Sequence, residues 1–88
     1  AIGSAVGAYV TPREIFAEAL RCEAVSIVLL HNHPSGDPNP SMQDLDFTKR
    51  LIQAGEMLGV PLLDHLVIGD NTYVSLRQEQ RLTFSKER

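Results

Sequence analysis

Residues 25–44, VSIVLLHNHPSGDPNPSMQD, predict a strand, a stiff loop and a helix start in direct succession. The run 25–30 is β-branched and almost wholly apolar, which predicts a strand covered on both faces. The next ten residues include three prolines and a glycine, which exclude regular structure. We predict that Ser41 caps a helix that continues until Gly59 and Pro61 stop it.

The flanking segments predict the remaining elements. Residues 1–10, AIGSAVGAYV, are small and glycine-interrupted and indicate a short or edge strand. The tetrapeptide 11-TPRE-14 is a capping box for a helix over about residues 12–22. Residues 62–76 have the pattern of a β-hairpin with its turn at GDN. The order β-α-β-α-β-β predicts that residues 1–88 form one α/β domain, a mixed β-sheet flanked by helices.

Composition argues against several classes of function. Eight Lys and Arg residues against eleven Asp and Glu give a net charge of −3, without the basic stripe typical of nucleic-acid binding. The apolar runs are far shorter than the roughly 20 residues that span a bilayer. The single cysteine, Cys22, excludes an intrachain disulfide and favours a cytoplasmic location. We interpret Cys22 as a small, half-buried helix residue rather than a nucleophile.

The histidines of the loop indicate a metal site. His31 and His33 are two positions apart at the end of a predicted strand, so both imidazoles can point into one space. Asp44, one helical turn beyond Ser41, can direct its carboxylate back toward the same loop. Two histidines and one carboxylate leave a fourth zinc position open for water, as in catalytic sites, which favours hydrolysis. The same ligand set also suits non-haem iron.

Spacing alone leaves other interpretations open. Ser41 and Asp44 are equally typical of plain helix capping. We interpret His65 as a structural residue, or as one that hydrogen-bonds to a metal ligand, rather than as a ligand itself. Residues 34–36 fit an ordinary turn, and residues 70–71 fit a hairpin turn.

The full pattern resembles a known motif. His31-x-His33-Pro34, six residues, and then Ser41-x-x-Asp44 resembles the JAMM signature of the JAB/MPN-domain zinc metallopeptidases. The longer string HNHPSGDPNPS, with TPREIF before it and LLDHLVIGD and YVSLR after it, is similar to the bacterial RadC-type branch. The likeness covers essentially the whole chain. It implies a JAB/MPN fold, which is related to that of the cytidine deaminases.

The resemblance also implies the roles of single residues. It implies that His31, His33 and Asp44 ligate Zn2+, with water as the fourth ligand, and that Ser41 stabilises the oxyanion of the intermediate. In this family a glutamate upstream of the histidines is the general acid/base. Its position falls before the segment 1–10, and it is not matched by Glu14, Glu18 or Glu23. We therefore expect the chain to be the C-terminal portion of a RadC-type protein, able to bind metal but lacking the base.

Three functions follow as hypotheses. The first is a zinc-dependent hydrolase of peptide or isopeptide bonds that acts on a peptide or protein substrate. The second is a non-catalytic MPN-like interaction module. The third is an accessory role in DNA repair, without direct nucleic-acid contact by this segment. We expect no membrane partner, and an exposed edge strand makes a homodimer plausible.

Overall fold

The computed structural model describes residues 11–84, and the strand predicted over residues 1–10 lies outside them. The described elements are two helices that each precede a strand, followed by a final strand, which confirms the predicted α/β class. In chain order they are α1 (Pro12–Arg21), β1 (Ile27–Asn32), α2 (Met42–Leu58), β2 (Leu62–Gly69) and β3 (Thr72–Ser75).

The described strands form one mixed sheet in the order β1-β2-β3. Strands β1 and β2 are parallel, with Leu29 opposite His65 and His31 opposite Val67. Strand β3 returns antiparallel to β2, as the hairpin pattern predicts. Because β1 and β2 run in the same direction, the loop that follows β1 lies beside the turn that follows β2. This placement determines where the histidine-rich loop rests.

Both helices begin with capping boxes, as predicted for α1, whereas for α2 the prediction is only that Ser41 is the N-cap. At α1 the Thr11 hydroxyl accepts the Glu14 N–H, while the Glu14 carboxylate accepts the Thr11 N–H. Ser41 and Asp44 make the same reciprocal pair at α2. Helix α2 ends at Gly59, whose φ of 76° is the left-handed conformation favoured for glycine at a helix end. Neither described helix has the length and apolar character needed to cross a bilayer.

The hydrophobic core lies between the two helices and one face of the sheet. Leu51 and Leu62 are completely buried, and Phe16 from α1 and Leu29 from β1 join them in one cluster. Along α2 the buried positions fall on the face that carries Leu51, which explains why this helix lies flat on the sheet.

The prediction that residues 25–30 form a strand covered on both faces is wrong for the described residues. Strand β1 starts only at Ile27, and Val28 and Leu30 are 40% and 45% exposed, whereas Leu29 is 8% exposed. Both described helices pack on the face that carries Leu29. Val28 and Leu30 point to the other face of β1, which no described element covers. They are exposed although they are as apolar as Leu29.

Candidate metal centre

The structure brings together the three side chains that the sequence pattern singles out. One ligand atom each from His31, His33 and Asp44 lies within 4.8 Å of the others. Asp44 Oδ1 is 3.4 Å from His31 Nδ1, and its Oδ2 is 3.0 Å from His33 Nε2. The two imidazole rings meet edge to face, with centroids 4.7 Å apart. Strand β1 supplies the first histidine, the loop supplies the second, and the first turn of α2 supplies the carboxylate.

The loop between β1 and α2 is held against the hairpin turn by backbone hydrogen bonds. The His33 N–H donates to the Ile68 carbonyl at 2.9 Å, which continues the pairing of β1 with β2 by one residue. The Asp70 N–H donates to the Gly36 carbonyl, also at 2.9 Å. Within the loop, Asp37 Oδ1 accepts from both the backbone and the side chain of Asn39. These bonds fix the loop before any ligand binds.

The contacts of His33 are satisfied either by a doubly protonated ring or by a cation between its Nε2 and Asp44. His33 Nδ1 lies 2.8 Å from the Asp37 carbonyl oxygen, which can only accept, so Nδ1 carries the proton. In the neutral ring, Nε2 is then an acceptor that faces a carboxylate oxygen at 3.0 Å. Two acceptors at this distance repel each other unless a proton or a metal ion lies between them. Metal-ligating histidines characteristically donate their other N–H to a carbonyl, so the residues present fit a divalent metal.

Asp44 is held as an anion that points at both histidines. Its Oδ2 accepts the backbone N–H of Ser41 at 2.8 Å. Partial burial acts to raise the pKa of Asp44, but the hydrogen bonds from Ser41 and the two neighbouring imidazoles outweigh it, so the pKa lies below its usual value. A carboxylate that is ionised and already oriented is a good ligand for a hard or borderline cation.

Ser41 can cap the helix and still act as a donor. Its Oγ accepts the Asp44 N–H at 3.1 Å through a lone pair, and its hydroxyl hydrogen can turn either to the Asp44 carboxylate or to another acceptor. The residue is exposed to solvent. Capping and oxyanion stabilisation, which the sequence pattern presents as alternatives, are therefore compatible in this geometry.

His65 lies behind the cluster, outside the set of three. It is 1% exposed, and its ring stacks on the His31 ring with centroids 5.8 Å apart. Its Nδ1 lies 2.7 Å from the hydroxyl of Thr48, which also donates to the Asp44 carbonyl. Sequence reasoning missed Thr48, although its position four residues after Asp44, on the same helix face, was an available signal.

We expect the metal-free chain to lose stability as the pH falls from about 6.5 toward 4. Burial first, and then the charge of His31, lower the pKa of His65 to about 4, against the opposing effect of Asp44 and Asp64. Unfolded His65 takes up a proton near its ordinary pKa of about 6.5, whereas folded His65 stays neutral until about 4. The unfolded state therefore binds more protons in this window, and lower pH favours it.

Urea unfolding with chelator present, at pH 7.5 and pH 5, measures this effect. We expect His65 to contribute a decrease of at most about 2 kcal/mol in the free energy of unfolding. His65→Gln should show a correspondingly flatter pH dependence. If the free energy of unfolding fell equally with pH in both proteins, His65 would not be the cause of the pH dependence.

The cysteine and the upstream glutamates lie at the ends of α1. Cys22 is exposed at the helix C-cap, so the prediction that it is half-buried is wrong. Its thiol donates to Glu18, and this hydrogen bond raises the pKa of Cys22. Glu18 also pairs with Arg21, and Glu14 belongs to the capping box. The metal cluster contains no glutamate from residues 11–84.

Together the fold and the cluster define an α/β domain with a His-His-Asp centre at the carboxyl end of a parallel strand pair. The RadC-like JAB domain is the family whose sequence model matches this chain, over residues 1–82. The chain belongs to that family, which confirms the resemblance and the fold inferred from the motif.

Named relatives agree with this assignment. A UPF0758 protein of Halalkalibacterium halodurans is 55% identical over 84 residues, which cover 96% of this chain and 36% of the relative. A UPF0758 protein of Clostridium novyi is 56% identical over 81 residues, covering 92% of this chain and 36% of that protein. The chain thus spans about a third of the length of these relatives, and their names carry no statement of activity.

Proposed function

We propose that this chain is the metal-binding part of a zinc-dependent hydrolase of peptide or isopeptide bonds. The observation that supports this most strongly is that His33 Nε2 lies 3.0 Å from the ionised carboxylate of Asp44. The other ring nitrogen of His33, Nδ1, is already hydrogen-bonded to the Asp37 carbonyl. His31 completes a set of three ligands. Zinc in such a set supplies Lewis-acid chemistry: it polarises a carbonyl and lowers the pKa of water toward about 7.

The protein residues supply orientation and access. The side chains of His31, His33 and Asp44 are 29%, 16% and 13% exposed, so the cluster is shielded but reachable from solvent. Partial exclusion of water strengthens the attraction between the carboxylate and a bound cation. The three side chains would hold the ion, and their partial exposure would let a substrate reach it.

In this proposal Ser41 donates its hydroxyl hydrogen to the substrate oxygen as negative charge develops on that oxygen. Its backbone is fixed by the N–H donated to Asp44 Oδ2, at 2.8 Å, so its hydroxyl stays within one turn of the ligand carboxylate. A donor that is preorganised in this way stabilises the transition state more than the ground state.

The proton that must move during hydrolysis is assigned neither to Asp44 nor to His65. Asp44 is occupied by its capping bond and the two histidines. His65 is buried and already paired with Thr48. We therefore assign the general base to the upstream glutamate that the family pattern includes, beyond the described residues.

The experiment is hydrolysis by the full-length protein that contains this chain. We expect zinc-loaded protein to cleave members of a panel of peptide and isopeptide substrates, with activity lost on chelation and restored by zinc. Asp44→Asn should lose this activity, while the exposed Asp46→Asn on the same helix should retain it. Zinc binding without hydrolysis of any substrate would favour the non-catalytic interaction module instead.

Ser41→Gly is expected to lower kcat by about 10²- to 10³-fold, as removal of a single oxyanion donor does in other hydrolases. Glycine is chosen because it costs an N-cap only a few tenths of a kcal/mol, whereas alanine costs about 1 kcal/mol. Steady-state kinetics with zinc saturating would measure the effect. Ser41→Thr, which keeps the hydroxyl, should retain most of the activity, and an unchanged kcat in Ser41→Gly would remove Ser41 from the mechanism.

A further inference from the structure

We propose that Thr48 and His65 form a positioning pair that orients the metal ligands Asp44 and His31. This inference rests on the proposed zinc site, but it concerns two residues that are outside the ligand set. Thr48 acts through Asp44, and His65 acts through His31. Neither is expected to touch metal or substrate.

The hydrogen bonds of Thr48 establish the first half of the pair. Its hydroxyl lies 2.7 Å from the Asp44 carbonyl oxygen and 2.7 Å from His65 Nδ1. The carbonyl can only accept, so the hydroxyl hydrogen is directed to Asp44 and the hydroxyl oxygen accepts from His65 Nδ1–H. The chain of bonds from His65 through Thr48 thereby ends on the residue whose carboxylate faces both histidines.

Ring stacking establishes the second half. Leu29 and His65 are register partners in the parallel pair, so His65 points to the same face of the sheet as His31, two residues further along β1. The two rings are 25° from parallel, with centroids 5.8 Å apart. Because Thr48 fixes the plane of the His65 ring, that ring gives His31 a rigid surface on its inner side.

Burial explains why these residues form a support rather than a site of their own. Thr48 is 0% exposed and His65 is 1% exposed. With Nδ1 protonated, neutral His65 presents Nε2 as a lone pair, and this atom is buried without a hydrogen-bond partner among the described residues. Leaving a buried polar atom unpaired costs free energy. A hydrophobic residue would fill the space at a lower cost in free energy. The imidazole is therefore better explained by the hydrogen bond of its Nδ1 to Thr48 and by the stacking of its ring on His31.

The test compares zinc affinity in three variants. Thr48→Val removes the hydroxyl while preserving shape, Thr48→Ser keeps it, and Ile52→Val trims the core one helical turn further along α2 without touching the hydroxyl. We expect Thr48→Val to bind zinc about 10- to 100-fold more weakly, as loss of a partner that orients a ligand does in other metal sites. Thr48→Ser should recover most of the affinity, and Ile52→Val should bind like the parent chain.

Two spectroscopic measurements separate positioning from general destabilisation. The cobalt-substituted protein should show an altered visible spectrum in Thr48→Val and an unaltered one in Ile52→Val. In the metal-free parent chain, 15N NMR should show His65 protonated at Nδ1 and unprotonated at Nε2, with this tautomer preference weakened in Thr48→Val.

The outcomes distinguish the two proposals. A parent chain that binds no zinc overturns the proposed function, and this inference with it. A parent chain that binds zinc, with Thr48→Val unchanged in affinity and spectrum, overturns the positioning pair alone. Equal losses in Thr48→Val and Ile52→Val would also overturn it, because the effect would then be one of stability.

Discussion

Asp44→Asn is expected to abolish tight zinc binding while leaving the fold intact. The substitution removes the negative charge that faces His31 at 3.4 Å and His33 at 3.0 Å, and it replaces an anionic ligand by a weak neutral one. We expect the zinc affinity to fall by more than about 100-fold. This exceeds the loss that follows removal of a residue that only hydrogen-bonds to a ligand. Competition with a chromophoric chelator would measure the change.

Without metal the same substitution should cost little stability, because asparagine keeps an oxygen to accept the Ser41 N–H. Its amide group then takes the place of Oδ1 and faces His31 Nδ1, at 3.4 Å. Asp46→Asn makes the same charge change on an exposed position of α2 and is the matched control. Equal zinc affinity in Asp44→Asn and Asp46→Asn would exclude Asp44 as a ligand.

Gly69→Ala is expected to displace the histidine-rich loop, with losses in both stability and zinc affinity. A Cβ on Gly69 would overlap the Gly36 carbonyl oxygen and lie 2.9 Å from Pro38 N. Both obstacles are backbone atoms, so the loop must move rather than a side chain. Steric overpacking of this kind costs about 1 to 3 kcal/mol. The Asp37 carbonyl that orients His33 moves with the loop, so zinc should bind more weakly as well.

Gly59→Ala separates these two effects. Gly59 has a φ of 76°, so alanine there is strained by about 1 to 2 kcal/mol, yet no atom lies within 4 Å of the added Cβ. This variant should be destabilised like Gly69→Ala but bind zinc with the parent affinity. Urea unfolding and zinc titration of both variants provide the comparison. Similar zinc affinities in Gly69→Ala and Gly59→Ala would show that the position of the histidine-rich loop does not affect zinc binding.

The local features of the fold could be predicted because each depends on neighbouring residues. The capping boxes at Thr11 and Ser41 each lie within four residues, and the hairpin turn is encoded by Asp70 and Asn71 at its tip. The spacing of His31 and His33 indicated their convergence, and the family pattern extended it to Asp44. Hydrogen bonding over three or four positions is visible in a sequence without knowledge of the fold.

Contacts between distant segments could not be predicted in the same way. The pairing of Thr48 with His65 spans 17 residues and depends on how α2 packs against β2. The Gly36–Asp70 bond depends on the parallel arrangement that puts loop and turn side by side. The exposure of Val28 and Leu30 was missed because composition reports apolar character but not which elements cover each face.

Zinc stoichiometry in the purified chain and in two ligand variants tests the central claim most directly. Elemental analysis after removal of loosely bound metal should give about one zinc ion per parent chain. It should give essentially none in His31→Ala and Asp44→Ala, while circular dichroism shows that both variants remain folded. A parent chain without zinc, or folded variants that retain it, would contradict the assignment of His31, His33 and Asp44 as a metal site.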